Sequence, residues 1–230
     1  MDILPFRSPH SAAPGPDLIA EAHHRIANCL ALLVSTVRMQ AVTVKKQAEP
    51  FSNIEVRRML DGIAARIGTM SQLHRILSRT SGDGTIYLKP HLKEVTDALV
   101  ATLASPEQQI RVVHYEGDCL VEMRQVQPIL LIICEIFINA MKYAHPAGVP
   151  LVMTVVCERA AEGGLALSVS DDGVGLPEGF EAGKTHGVGF KVMNSLAAEL
   201  NGELQMQSSD MGVTFRLSLP AAAVPGVMLA

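Results

Sequence analysis

The sequence predicts an α+β chain in which a helical hairpin precedes a half that mixes strands with helices. Three observations carry this reading. Between Asp17 and Leu77 apolar and small residues recur at helical spacing, with one break at Pro50. Beyond residue 84 short alternating runs take over, divided by turn-forming sequences. Ten of the 18 glycines fall between 163 and 212, so backbone freedom is concentrated in the second half.

Residues 1–16 carry Pro5, Pro9, Pro14 and Pro16 and read as an irregular lead-in. Asp17 is an N-cap candidate, after which Ala27, Leu30, Val34, Val37, Ala41 and Val44 lay a seam along one helix face. A second seam follows Pro50 at Leu60, Ile63, Ile67, Met70, Leu73 and Leu77, ending at Ser81-Gly82-Asp83-Gly84. Two seamed helices over 17–82 form an antiparallel hairpin. One hairpin leaves its seam uncovered, so a homodimer with a four-helix bundle is the expected assembly.

The second half, 85–220, opens with a short strand expected at Tyr87–Lys89 and a helix at Pro90–Leu103 that begins on proline. Arg111–Tyr115 alternates as a strand does, and Gln125–Ala144 is a strongly apolar helix. Strands are expected at Leu151–Cys157, Leu165–Ser170, Glu203–Gln207 and Val213–Leu219, the last alternating Val213, Phe215, Leu217 and Leu219. Lys191–Leu200 reads as a helix stopped by Asn201-Gly202, and 221–230 is a tail.

Composition narrows the function classes. The chain has 230 residues, 48% of them hydrophobic and 18% charged, with a formal net charge of −4. That balance suits a packed globular protein and argues against nucleic acid as a partner. Cys29, Cys119, Cys134 and Cys157 have neither metal-ligand nor disulfide-framework spacing, as in a reducing compartment. The first residues do not form a secretory leader, and the apolar run Ile129–Cys134 is far short of a membrane span. A soluble, cytoplasmic protein without membrane contact is expected.

Three clusters in the second half carry chemistry together. Glu135, Asn139, Lys142 and Tyr143 put polar groups along one side of a greasy helix. Asp171-Asp172-Gly173-Val174-Gly175 directly follows an apolar strand, and Gly187-Val188-Gly189 opens the helix near Phe190. A carboxamide and a lysine on one face can hold a metal–phosphate group. Glycines at a helix start let amide groups approach phosphate oxygens, which the helix dipole favours. A carboxylate at a strand end can accept from an exocyclic amine. Taken singly, such pieces are more often turns or satisfied core polar groups. Their order and spacing set them apart.

The three clusters resemble the N, G1 and G2 boxes of the ATP-binding fold shared by histidine kinases, type II topoisomerases and Hsp90-like ATPases, over about residues 85–220. The resemblance implies an α/β-sandwich domain using ATP and Mg2+. In it Asn139 would bind magnesium, Asp171 the adenine amino group, and Lys142 the phosphates. Gly173, Gly175, Gly187 and Gly189 would flank a nucleotide lid. Tyr143 stands where the family has His or Tyr. Gly212-Val213-Thr214 looks like a late Gly-x-Thr, which would bring Thr214 to the adenine end. Glu135 would be the N-box acid, with a catalytic role. No Walker-type GxxxxGK[ST] is present.

Glu21 to Asn28 then resembles the phosphoacceptor box Glu-x-x-His-Arg-x-x-Asn of a sensor histidine kinase class related to the HWE kinases. Strict HWE membership requires a Trp, and the chain has none. Helical phase separates the two adjacent histidines: His23 continues the buried seam, whereas His24 aligns with Asn28, Ser35 and Arg38 on the polar face. His24 is therefore the expected phosphoacceptor. The implied reaction moves the ATP γ-phosphoryl group to His24 and on to an aspartate of a response-regulator receiver domain. The short lead-in leaves no room for a sensor, which makes an upstream sensor protein an expected partner. Two alternatives are a histidine phosphotransferase that relays without ATP and an anti-sigma-type serine kinase or binding module on the same fold. Intact boxes favour the kinase over the first, and the hairpin with its histidine counts against the second.

Overall fold

The computed structural model describes residues 50–221, except 80–83, 105–108, 118, 146–148, 161–162 and 178–187, together with positions 27, 30, 31, 34, 35, 37, 38, 41, 42, 44 and 45. Those eleven early positions are all helical and exposed, including Leu30, Val34 and Val37 of the expected first seam. Pro50 interrupts the helical run as expected. The next helix, α1 (Asn53–Arg79), starts with a capping box, in which Ser52 Oγ accepts from the Glu55 N–H at 3.3 Å and Glu55 Oε2 accepts from the Ser52 N–H at 2.8 Å. The Ser52 amide, aided by its hydroxyl, holds the Glu55 carboxyl below its ordinary range.

α1 carries two faces where the sequence reading saw one. Leu60 and Ile67, from the expected seam, stay exposed at 60% and 51%. The buried stripe is instead Gly62, Ala65, Arg66 and Thr69, and it docks on α2 (Leu88–Leu103) and α3 (Met123–Tyr143). Small residues there let the helices approach closely. A pattern search weighted towards large apolar groups passes over such a face.

Beyond α1, β1 (Thr85–Tyr87) pairs antiparallel with β3 (Leu120–Glu122) in a small two-stranded sheet. The strand expected at Tyr87–Lys89 lies two residues earlier, and α2 starts at Leu88, which leaves Pro90 in its first turn, where a missing N–H is harmless. β3 has three residues, too few to show alternation, and escaped the sequence reading.

The main sheet has the order β2-β4-β5-β7-β6, formed by β2 (Ile110–Glu116), β4 (Leu151–Arg159), β5 (Leu165–Asp171), β7 (Gly212–Leu219) and β6 (Glu203–Ser209). β2 and β4 run parallel, because α3 crosses over between them; all other pairs are antiparallel. Alternation decides which face is covered. Leu151, Met153, Val155 and Cys157 of β4, Leu165, Leu167 and Val169 of β5, and Val213, Phe215, Leu217 and Leu219 of β7 point inward, under α2, α3 and α4 (Val188–Glu199). Cross-strand pairs Val155↔Val169 and Val169↔Phe215 set these columns side by side. Among the described residues, α3 alone has the length and apolarity of a membrane span, but here it is the core helix, with Ile129, Leu130 and Ile133 fully buried. The result is an α/β sandwich preceded by a helical region.

Candidate functional site

The inward column of β5 ends on a charge. Leu165, Leu167 and Val169 lead to Asp171, which takes the next inward position and is 9% exposed. Its Oδ1 accepts from the Gly173 N–H at 3.0 Å and from the Val213 N–H at 3.2 Å. Burial raises the Asp171 carboxyl above its ordinary value against the pull of those two amides, and the neighbouring Asp172 adds to the rise. Among the described residues the hydrogen bonds to this carboxylate all go to Oδ1.

Glycines form the turn around this carboxylate because atoms crowd it. A Cβ on Gly173 would lie 2.6 Å from the Ala144 Cα and carbonyl oxygen, at the end of α3. The chain then continues by a bond from the Val174 N–H to the Ala144 oxygen at 2.9 Å. Gly212 has φ +120°, and a Cβ there would fall 2.0 Å from the Asp171 carbonyl oxygen. A second tie comes from Asp172, whose Oδ1 accepts from the Val152 N–H at 2.8 Å and lies 3.1 Å from His145 Nε2. The end of α3, β4 and the turn after β5 are thereby fastened together.

The polar side of α3 faces the start of α4. A Cβ on Gly189 would sit 2.8 Å from Glu135 Oε2 and 3.5 Å from Asn139 Oδ1, so the bare glycine brings the helix start against both side chains. Glu135 is 4% exposed and is gripped by Arg66 of α1: Arg66 Nε donates to Oε1 at 2.5 Å and Nη2 to Oε2 at 2.7 Å. Burial acts to lower the guanidinium, yet its bonds to Glu135 and that group's charge hold it above its ordinary value. Lys142 faces the same cluster, and its amine lies below its ordinary value through burial and the adjacent Arg66. Burial also pushes the neighbouring Cys134 thiol up to about 12, which leaves it an inert core group.

The structure thus brings Glu135 and Asn139 together beside Gly189, places the Lys142 amine on the side of Gly62 of α1, and sets Gly173, with the Asp171 turn, against Ala144 just past the C-terminal end of the same helix. Gly175, with φ +74°, lets the chain pass the Ser209 carbonyl. Of two further expected residues, one is open to solvent and one is turned away from Asp171. Tyr143 is 70% exposed. Thr214 lies on the outward face of β7, where its Oγ1 donates to Ser170 Oγ at 2.9 Å; strand alternation turns it away from Asp171, and Val213 supplies the β7 contact instead. His24 and Gly187 are outside the described residues, as is Asp17. Sequence reasoning missed Arg66, Val213 and the His145–Asp172 tie. For Arg66 the signal was present as Gly62-x-x-Ala65-Arg66-x-x-Thr69, a small-residue stripe with one charge inside it.

Comparison with known proteins fits this geometry. Residues 21–103 match the family described as histidine kinase, and residues 125–223 match the family described as histidine kinase-, DNA gyrase B-, and HSP90-like ATPase. The two matches follow one another along the chain. The sensor histidine kinase PdtaS of Mycobacterium tuberculosis is 29% identical to this chain over 217 residues, 92% of the chain and 41% of PdtaS. Blue-light-activated histidine kinase 2 of Erythrobacter litoralis is 22% identical over 96% of the chain and 62% of the relative. The chain therefore spans about two fifths of PdtaS. Its fold matches the histidine kinase domain of a blue-light-activated histidine kinase from Erythrobacter litoralis at a TM-score of 0.64 and 20% identity, covering 89% of this chain and 94% of that one.

Proposed function

We propose that the chain is an ATP-using protein-histidine kinase that autophosphorylates on His24. The observation that carries the proposal is the C-terminal part of α3, where Asn139 lies against the bare Gly189 as a phosphate-type cradle and Ala144 lies against Gly173 beside the adenine-type acceptor Asp171. Both parts are fixed along the C-terminal portion of one rigid core helix, which suits a ligand that carries a base and phosphates.

Each residue has a role that follows from its chemistry. Asp171, through its second oxygen, accepts from the adenine amine. The Gly189 amide at the start of α4 and the Lys142 amine offer donors to phosphate oxygens. Asn139 offers a hard carboxamide oxygen beside the gap left by Gly189, which suits Mg2+. Among the described residues no cluster of three or more His, Cys, Asp or Glu could hold a metal alone. A magnesium ion carried in on phosphates needs only one or two protein ligands, so the residues fit it. When bound it supplies charge neutralisation at the phosphates. Glu135 supplies the acid of this face, Gly173 and Gly175 shape the turn beside Asp171, and Gly187 would flank a nucleotide lid.

The acceptor is the neutral imidazole of His24, whose ordinary pKa near 6.5 leaves a nucleophilic nitrogen at neutral pH. A nitrogen–phosphorus bond forms there as the bond between the γ-phosphorus and the ADP oxygen breaks. Positioning and charge stabilisation carry most of such a transfer. The motif around His24 supports the Glu-x-x-His-Arg-x-x-Asn class, with a unit boundary near residue 84, a homodimeric hairpin, and passage of the phosphoryl group to a receiver-domain aspartate. The setting we infer is cytoplasmic, with an upstream sensor protein as the source of the signal.

The test is incubation with γ-labelled ATP and Mg2+. An acid-labile, base-stable label on the wild type that disappears in His24→Ala is expected. A label surviving in His24→Ala overturns the acceptor assignment. A wild type that stays unlabelled, yet accepts label from a phosphorylated receiver, overturns the ATP-using reading.

A further inference from the structure

The buried pair between Arg66 and Glu135 joins the hairpin helix to the ATP-type site. Arg66 belongs to α1, sixty-nine residues before Glu135 and outside all three nucleotide boxes. Its two bonds to the carboxylate, at 2.5 and 2.7 Å, form a planar fork that fixes both oxygens at once. The fork is itself aimed: Arg66 Nη1 donates to the Gly62 carbonyl oxygen at 3.1 Å, one turn back on α1. Both side chains are nearly sealed, 7% and 5% exposed.

Stability alone gives little reason for such a pair, since apolar residues of equal volume often serve as well or better. Geometry supplies the reason here. Glu135 lies between Arg66 on one side and the bare Gly189 on the other, with Asn139 one turn further along α3. A carboxylate free to change rotamer would swing into the space that Gly189 keeps open at the start of α4. Held from behind, it presents a fixed edge to that space.

We propose that Arg66 is a positioning residue for autophosphorylation: by forking Glu135 from the hairpin side, it fixes the carboxylate beside Gly189 and Asn139 and makes α1 a structural part of the phosphoryl-transfer site. This inference rests on the kinase reading. Arg66 does not touch the nucleotide; it acts through Glu135.

The experiment compares wild type, Arg66→Met, Arg66→Lys, Glu135→Gln and the double variant Arg66→Met/Glu135→Gln in the full chain. Three quantities are read: binding of a non-hydrolysable ATP analogue with Mg2+, initial labelling rate at saturating ATP, and Tm. A misplaced group of about 1 Å costs roughly 10²-fold in rate. Arg66→Met should therefore lose about 10²-fold in rate while analogue affinity stays within about 3-fold, and Arg66→Lys should recover part of the rate because it restores charge without the fork. In the Glu135→Gln background, Arg66→Met should add less than about 3-fold, since both act through one carboxylate. A rate in Arg66→Met equal to or faster than wild type overturns the proposal, as does a full additional loss in the Glu135→Gln background. Should Arg66→Met fail to fold, a folded Arg66→Lys with wild-type rate overturns it equally. Wild type that binds the analogue but takes no label fails the kinase reading and this one with it; labelled wild type with indifferent Arg66 variants fails this one only.

Discussion

Asp171 shows how a candidate site residue can weaken the fold that holds it. Its carboxylate ends an apolar column, and burial raises its pKa above the ordinary value of 3.8 despite two amide donors. The folded chain therefore binds that proton more tightly than the unfolded chain does. The group favours folding below its ordinary pKa, and that contribution is lost as pH rises through the raised value. At neutral pH the charge is a net burden. Asp171→Asn keeps an oxygen for the Gly173 and Val213 amides and removes the buried charge. Its Tm at pH 7 should equal or exceed that of wild type, and the difference should vanish near pH 3.5. The other oxygen becomes a carboxamide N–H2, a donor facing the adenine amino donor, so ATP-analogue affinity should fall by about 10- to 100-fold, the loss of a charge-assisted hydrogen bond. Calorimetric melts across pH and an analogue titration check both halves; a lower Tm at pH 7 contradicts the first. Sequence showed this residue by type and by place, an acid followed by Asp-Gly after an apolar strand. It could not show that Val213 supplies the second amide, because that depends on the register Ser170↔Thr214.

At the scale of elements, α3 is the spine on which the rest is measured. Its apolar sequence was legible as a helix, and its buried side needs nearly every aliphatic residue it has. Leu130, fully buried, should cost about 2–5 kcal/mol when cut to alanine, read from urea unfolding. The C-terminal end of α3 is set against the turn after β5 without slack. Gly173→Ala would place its Cβ 2.6 Å from two backbone atoms of Ala144 and 2.7 Å from its Cβ. Backbone cannot yield as a flexible side chain does, so a destabilisation of about 1–3 kcal/mol and weaker analogue binding are expected. Ala144→Gly in the same chain relieves only the Cβ contact and should restore little, which separates backbone crowding from side-chain crowding. Such closeness is not readable from spacing. An Asp-Gly after a strand announces a turn, but only the packed helix end shows why the residue must be glycine. Strands β4, β5 and β7 were legible because one side faces a core and the other does not. β3 was not, because three residues carry no period.

For the whole molecule the decisive feature is the division of α1 into two faces. One, lined by Gly62, Ala65, Arg66 and Thr69, is spent on α2 and α3; the other leaves Leu60 and Ile67 exposed, in a chain whose Leu30, Val34 and Val37 are exposed as well. A helical region that exposes this much aliphatic surface is suited to association. The second copy in a symmetric dimer would cover the same residues again. Burying one such side chain is worth about 1.5–3 kcal/mol, and each substitution at a twofold interface counts twice. Leu60→Glu with Ile67→Glu should then weaken self-association by about 6 kcal/mol or more, on the order of 10⁴-fold in Kd. Sedimentation velocity over a concentration series reads this directly. Neither residue belongs to the stripe that docks on α2 and α3, so ATP-analogue affinity should stay within about 2-fold of wild type. A doubly substituted chain that still sediments as a dimer places the interface elsewhere. One that becomes monomeric and also loses the analogue shows that the two faces of α1 act as one, with the dimer helping to hold Arg66 against Glu135.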